Sequence, residues 1–149
     1  MKRAYEKHYG PLVIWFVAFV AGMIGSAELA DRAGLSGRGM AAASMTALVL
    51  LLTALFVMIW KGEYVYWING GPDFEQAKAA GSERRRAYAW LHLRAMLRGG
   101  LAAMAILAAE YCCGANELTM ILSVGACVVA AAVSTTRIYW TEERKENDT

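Results

Sequence analysis

Apolar and charged positions in this chain fall in long blocks, not in stripes. Residues 8–27 (HYGPLVIWFVAFVAGMIGSA) carry no Lys, Arg, Asp or Glu over 20 positions, residues 39–60 (GMAAASMTALVLLLTALFVMIW) none over 22, and residues 118–136 (LTMILSVGACVVAAAVSTT) none over 19. A soluble helix or strand would interleave polar residues at its own period. A hydrocarbon core of about 30 Å is crossed by about 20 apolar helical residues, so each block predicts a transmembrane helix. A fourth block is shorter: only residues 99–109 (GGLAAMAILAA) are uncharged. Extended to 93–113 it is adequate, with Arg94 and Arg98 reaching back to one surface and Glu110 lying near the other.

Charge decides between three spans and four. With four, the amino end, the stretch 61–98 and the carboxyl tail share one side and hold 13 of the 15 basic residues, leaving Arg32 and Arg38 opposite; with three the split is 10 against 5. Basic residues collect on the cytoplasmic side, which favours four spans with both termini inside. The aromatics agree. Every Trp and every Tyr except Tyr111 maps near the basic side, as expected of rings at a headgroup boundary. The opening Met-Lys-Arg and the Gly25-Ser26-Ala27 triplet resemble a signal peptide, but the apolar run is long for one and reads as an uncleaved first span.

The expected architecture is therefore all-α: an integral, multi-pass four-helix bundle of the cytoplasmic membrane, forming a single domain over residues 1–149. Its spans are placed at about 11–31, 40–60, 93–113 and 117–138, with a cytoplasmic loop at 61–92. At 149 residues, 58% apolar and a mean hydropathy of +0.34, the composition fits one membrane domain. Local signals add detail. Pro11 suits the first turn of a helix. Gly34, Ser36, Gly37 and Gly39 mark an outer loop, Gly114 a helix stop, and Asn116 an N-cap. Asn69-Gly70-Gly71-Pro72 reads as a turn. Asp73 is placed to cap a short interfacial helix ending near Ala80, and Ser82 to cap a helix that continues into the third span. The tail TEERKENDT reads as polar and frayed.

Two groups of residues carry candidate chemistry. The first is Arg84, Arg85 and Arg86 with Trp90, Arg94 and Arg98, where guanidinium forks suit phosphate and the ring offers a stacking face. The competing account is charge that sets topology and anchors the loop. The second is Glu28, Asp31, Glu110 and Glu117, which the four-span arrangement puts near the outer end. Carboxylates in a span are costly, so they either form a cation-binding vestibule or pair with Arg32 and Arg38. Cys112, Cys113 and Cys127 form no C-x-x-C motif and read as small packing groups. His8 and His92 sit at the inner surface, without the spacing of a metal or haem site. No catalytic motif, metal site or cofactor site is expected, and no nucleic-acid-binding module accompanies the basic run.

Small residues recur at helix-packing spacing, as Ala18, Gly22 and Ser26, and as Ala126, Ala130 and Ser134. They predict close helix contacts, within the chain or in a homo-oligomer. Around the expected mid-bilayer positions Ala21, Leu50, Ala103 and Val128 there is no ionisable residue, where a coupled carrier usually has one. The expected function is that of an accessory or interaction protein, not an enzyme, whose basic-aromatic loop contacts membrane lipids or a membrane-protein partner. The alternative is a small oligomeric transporter or channel using the acidic vestibule.

Overall fold

The computed structural model describes residues 5–35 and 37–140. Ser36 of the outer loop and the polar tail from residue 141 lie outside the described residues, as do Lys2 and Arg3. Among the described residues the chain is entirely helical, without strands: α1 (Gly10–Arg32), α2 (Gly37–Gly62), a single 3-10 turn (Val65–Trp67), α3 (Phe74–Ala79), α4 (Gly81–Cys113) and α5 (Glu117–Thr135). α1, α2, α4 and α5 are each long and apolar enough to cross a membrane. The 33 residues of α4 rise about 50 Å, against a hydrocarbon core of about 30 Å. α4 is therefore longer than the core is thick, and the arginine run lies in its first two turns.

Local chemistry explains the ends. Pro11 lies in the opening turn of α1. The Asp73 side chain accepts from the Gln76 N–H, and the Gln76 side chain returns a bond to the Asp73 N–H, a complete capping box on α3. Asn116 caps α5 through the Thr119 N–H. Three helix ends share one device, in which the residue past the cap turns left-handed and the next N–H bonds back across the last turn. Gly34 turns α1, with Leu35 N–H reaching the Ala30 carbonyl at 3.0 Å; Gly114 turns α4, with Ala115 N–H reaching the Glu110 carbonyl at 2.9 Å. At α2 the same bond runs from Tyr64 N–H to the Ile59 carbonyl at 3.0 Å, but the left-handed residue is Glu63, at φ 59°.

Two expectations are corrected here. Ser82 does not cap α4, whose N-cap residue is Ala80 without a side-chain bond, because the Ser82 hydroxyl is drawn to the Glu63 carboxylate instead. Gly37 and Gly39 belong to α2 and not to the loop before it. A Cβ on Gly37 would run into the Glu117 carboxylate, so glycine there admits that side chain against the start of α2.

The four long helices do not surround one axis. α2 touches α1, α4 and α5, while α1 packs on α2 and on neither of the others. The arrangement is a three-helix core of α2, α4 and α5 with α1 laid against it. Gly22 lets Leu51 approach within 3.0 Å of where its Cβ would stand, and the Trp15 indole donates to the Leu51 carbonyl at 3.1 Å. Trp15 is thus tied to α2. Val13, Phe16, Val17, Val20 and Ile24 remain exposed on α1, a surface suited to lipid.

Two separate cores result. At membrane depth, Val49 of α2, Ala103 and Leu107 of α4, and Met120 and Val124 of α5 are buried together. Close approach comes from glycine: a Cβ on Gly99 would overlap the Ala131 methyl, and one on Gly100 would lie 3.2 Å from Val49. The second core, at the end where the chain between α2 and α4 folds back, joins Ile59, Val65, Ala77, Tyr88 and Ala89. The amino-terminal segment and the residues after α5 both reach this second core. Tyr5 Oη donates to the Glu63 carbonyl at 2.7 Å, and Tyr88 Oη to the Ile138 carbonyl at 3.4 Å.

Candidate functional site

The site is built around Glu63. α2 must stop and reverse at this point, and the left-handed turn that does so normally calls for glycine. A non-glycine residue there costs about 1–2 kcal/mol. Glycine stands one position earlier, at Gly62, where a Cβ would collide with the Tyr64 ring. The chain therefore bears strain at Glu63 and keeps a carboxylate in return.

That carboxylate is almost fully used. Oε2 accepts from Arg85 Nε and Nη2, both at 2.8 Å, and Oε1 accepts from Arg86 Nε at 2.8 Å and from the Ser82 hydroxyl. Arg85 continues to the Ala77 carbonyl through Nη1 at 2.9 Å, and its guanidinium lies 3.8 Å over the Tyr5 ring. Three elements that are distant in sequence, α2, α3 and α4, are thereby tied to the segment before α1. Arg85 is 7% exposed and has no face left for a ligand. Arg86 differs: one nitrogen is held, yet its side chain is 61% exposed. Arg84 places its guanidinium 4.8 Å over the Trp140 ring.

Around this clasp lies a nest of rings. Tyr5 stacks on Phe74 at 5.4 Å and Tyr64 on Trp67 at 4.2 Å, while Tyr66 meets Phe74 edge-on at 5.4 Å. Tyr66 Oη donates to the His8 carbonyl and accepts from the His8 N–H, both at 2.9 Å, so residues 5–9 are clamped along the loop. Burial pushes the Tyr5 phenol up to about 12 against the pull of Arg85, and burial likewise raises Tyr66; both stay neutral donors at physiological pH. At Glu63 burial pushes upward, but the bonds from Ser82 and Arg85 and the charges of Arg85 and Arg86 outweigh it. They hold the carboxyl below its ordinary value.

The six residues singled out for phosphate thus take different positions. Arg84, Arg85 and Arg86 surround the clasp. Trp90 is half-exposed, its ring 5.7 Å from that of Trp60. Arg94 and Arg98 lie farther along α4, at the edge of a groove between α4 and α5. The acidic residues are dispersed. Glu28 pairs with Arg32 at 3.0 Å on exposed α1, which touches neither α4 nor α5, and Asp31 is on that same helix. Glu110 is half-buried and accepts from Ser123 Oγ at 2.7 Å; Glu117 lies against Gly37. Arg38 donates to the Tyr111 carbonyl at 2.5 Å. His92 is 1% exposed, with Nδ1 3.1 Å from the Tyr88 carbonyl. Cys112 and Cys113 are free and exposed. Among the described residues no three His, Cys, Asp or Glu side chains converge as metal ligands do.

Sequence reasoning missed Glu63 and Tyr5. A signal for Glu63 was present: it is a lone carboxylate set between Lys61-Gly62 and the Tyr64–Trp67 aromatic run. Nothing in the spacing linked it to arginines 22 and 23 positions on. What the assembled site offers chemically is a stiff cationic and aromatic platform. Residues 61–98 hold seven basic side chains against four acidic ones, and one of those acids is enclosed by the clasp. Compared with known proteins, the chain matches no family model, no curated protein and no solved structure.

Proposed function

We propose that this is an accessory or interaction protein of the cytoplasmic membrane, with both termini inside, whose basic-aromatic loop contacts lipid headgroups or a membrane partner. One observation carries the reading. Glu63 accepts a strained backbone in order to fix Arg85, and through the same carboxylate it orients Arg86 while leaving it 61% exposed. Strain of this kind persists where the surroundings over-determine it, and it clusters at working sites. The excess of cations over residues 61–98 suits an anionic surface, and each basic side chain near such a leaflet contributes about 1 kcal/mol. The adjoining rings of Tyr64, Trp67 and Trp90 favour the headgroup boundary. Transport has less support: Glu28 and Asp31 lie on a helix that does not contact the helices of Glu110 and Glu117.

Hydrogen exchange over residues 64–90 tests the reading, with the full chain reconstituted in anionic or in zwitterionic nanodiscs. The loop is expected to exchange more slowly in the anionic bilayer, and Arg84→Gln/Arg86→Gln is expected to erase the difference. Equal exchange of the unaltered chain in both lipids contradicts the headgroup contact.

A further inference from the structure

The groove between α4 and α5 is a second cationic feature, separate from the clasp. It encloses about 580 Å³, a volume typical of small-molecule sites. Its origin is the side-chain pattern. Gly99 and Ala131 bring the two helices together, but Ala95 and Ala102 on α4 and Ala130 on α5 are too short to fill the space beside that contact. Leu91 and Ile138 line one end and Ala102 and Cys127 the other. Eleven residues separate each pair of ends, so the trough runs about 16 Å along the helices.

Arg94 and Arg98 stand on its wall, one helical turn or about 6 Å apart. Among the described residues neither has an ion pair, a hydrogen bond or a ring partner, and both are exposed. The other arginines of the helices contrast with them. Arg32, Arg38, Arg84, Arg85 and Arg86 are each engaged by a carboxylate, a carbonyl or a ring. The nearby Ser134 hydroxyl donates to the Ala131 carbonyl at 2.6 Å, leaving only its acceptor side. Among the described residues, the polar edge of the groove therefore consists of cationic donors without a partner, and its floor is apolar.

Depth identifies what matches this. Counting about 20 residues back from the end of α4 at Cys113 places Arg94 at the hydrocarbon boundary and Arg98 one turn inside it. A guanidinium at that depth is costly unless an anion or water meets it. A neutral apolar chain would cover the floor but leave both charges unpaired, and a free anion would pair the charges but leave the floor empty. An anionic amphiphile does both.

We propose that the groove binds one molecule of an anionic glycerophospholipid. Its phosphate lies between Arg94 and Arg98, and one acyl chain lies along the Gly99, Ala102 and Ala130 floor. This deepens the headgroup reading by naming a lipid class and a seat for it. It rests on the same membrane placement, but uses none of the clasp residues.

The test is native mass spectrometry of the full chain in mild detergent, titrated with phosphatidylglycerol or with phosphatidylcholine of the same acyl chains. One phosphatidylglycerol per chain is expected to bind tightly, with phosphatidylcholine about 30-fold weaker, the ratio two surface cations supply. Arg94→Gln/Arg98→Gln should remove that preference, and Arg94→Lys/Arg98→Lys should largely keep it. Ala130→Leu, which fills the floor and leaves the charges, should weaken phosphatidylglycerol by about tenfold, as overpacking of the acyl seat does. Arg84→Gln/Arg86→Gln should leave the tight adduct intact. Loss of the adduct in that loop variant together with its survival in Arg94→Gln/Arg98→Gln would overturn the groove site while leaving the loop reading in place. Displacement of the lipid by millimolar inorganic phosphate, or an unchanged affinity in Ala130→Leu, would overturn the acyl seat and with it the proposal.

Discussion

The two cores of this molecule are held together by different physics. At membrane depth, between α2, α4 and α5, the buried residues are Val49, Ala103, Leu107, Met120 and Val124, joined through Gly99 and Gly100, with no charged group among them. Lipid is as apolar as these side chains, so burial itself supplies little drive, and shape complementarity between small residues must hold the helices. At the loop end the core resembles that of a soluble domain: rings of Tyr5, Tyr64, Trp67, Phe74 and Tyr88 pack around a buried Glu63–Arg85 pair. Here water competes, and both hydrophobic burial and specific hydrogen bonding act. The comparison teaches that the loop end is not an appendage of the bundle. It is a second core that ties the amino segment, α2, α3 and α4 together.

Removing one member of the buried pair should give the largest effect. Glu63→Ala leaves Arg85 charged and enclosed, a loss of about 3 kcal/mol at the lower end of the range for a broken buried pair, since Arg86 keeps water nearby. Thermal unfolding in detergent should show the drop, and hydrogen exchange should rise over residues 63–90 and not in α5. A uniform rise through all helices would mean that the two cores are one. In the membrane-depth core, Gly99→Val forces α4 from α5 and should cost about 1–3 kcal/mol, as overpacking does. That loss should appear in α4 and α5 while the clasp keeps its protection.

Acid should separate the cores more gently. The Glu63 carboxyl is held below its ordinary value of 4.5, so its contribution is fully present above that value and is lost as pH falls through the lower, folded value. Loop-end Trp fluorescence should therefore change only below the ordinary carboxylate range. Glu63→Gln should remove the transition, and an unchanged transition in that variant would assign it to other carboxylates. The smallest effect is expected on α1. Glu28→Gln breaks an exposed pair one turn apart and should alter stability by about 0.5 kcal/mol or less.

Much of the scaffold was legible beforehand because its signals are local. Charge-free blocks mark three of the four long helices, with α4 needing the distribution of basic residues as well; Asp73 and Asn116 cap where their side chains can reach the next turn, and Gly114 stops α4 because left-handed backbone favours glycine. The failures were tertiary. Ser82 looks like a cap, but a carboxylate from another element takes its hydroxyl. The position of α1 was not readable, since a helix apolar on every side does not say which side meets a neighbour. Of the two contacts open to the stripe of Ala126, Ala130 and Ser134, the one within the chain is not made by them: all three are exposed, and the close approach uses Ala131, the next position round the helix. Within the candidate site the arginine run was visible as charge. Its division into a buried strut, Arg85, and an outward group, Arg86, depends on Glu63, while Arg84 rests on Trp140, and no periodicity joins them.

The central claim is that the amino segment, the loop before α4 and the end of α5 assemble beneath a single leaflet, inside the cell, with α4 crossing the bilayer. Membrane-impermeant thiol labelling tests it most directly, using His8→Cys, Lys78→Cys and Tyr139→Cys one at a time in a chain whose Cys112, Cys113 and Cys127 are replaced by Ser. All three positions should stay unlabelled in intact cells and react in inverted membrane vesicles, while Leu35→Cys should do the reverse. Labelling of Lys78→Cys and Tyr139→Cys from opposite sides would contradict the crossing of α4 and the packing of Tyr88 and Arg84 on Ile138 and Trp140 that depends on it.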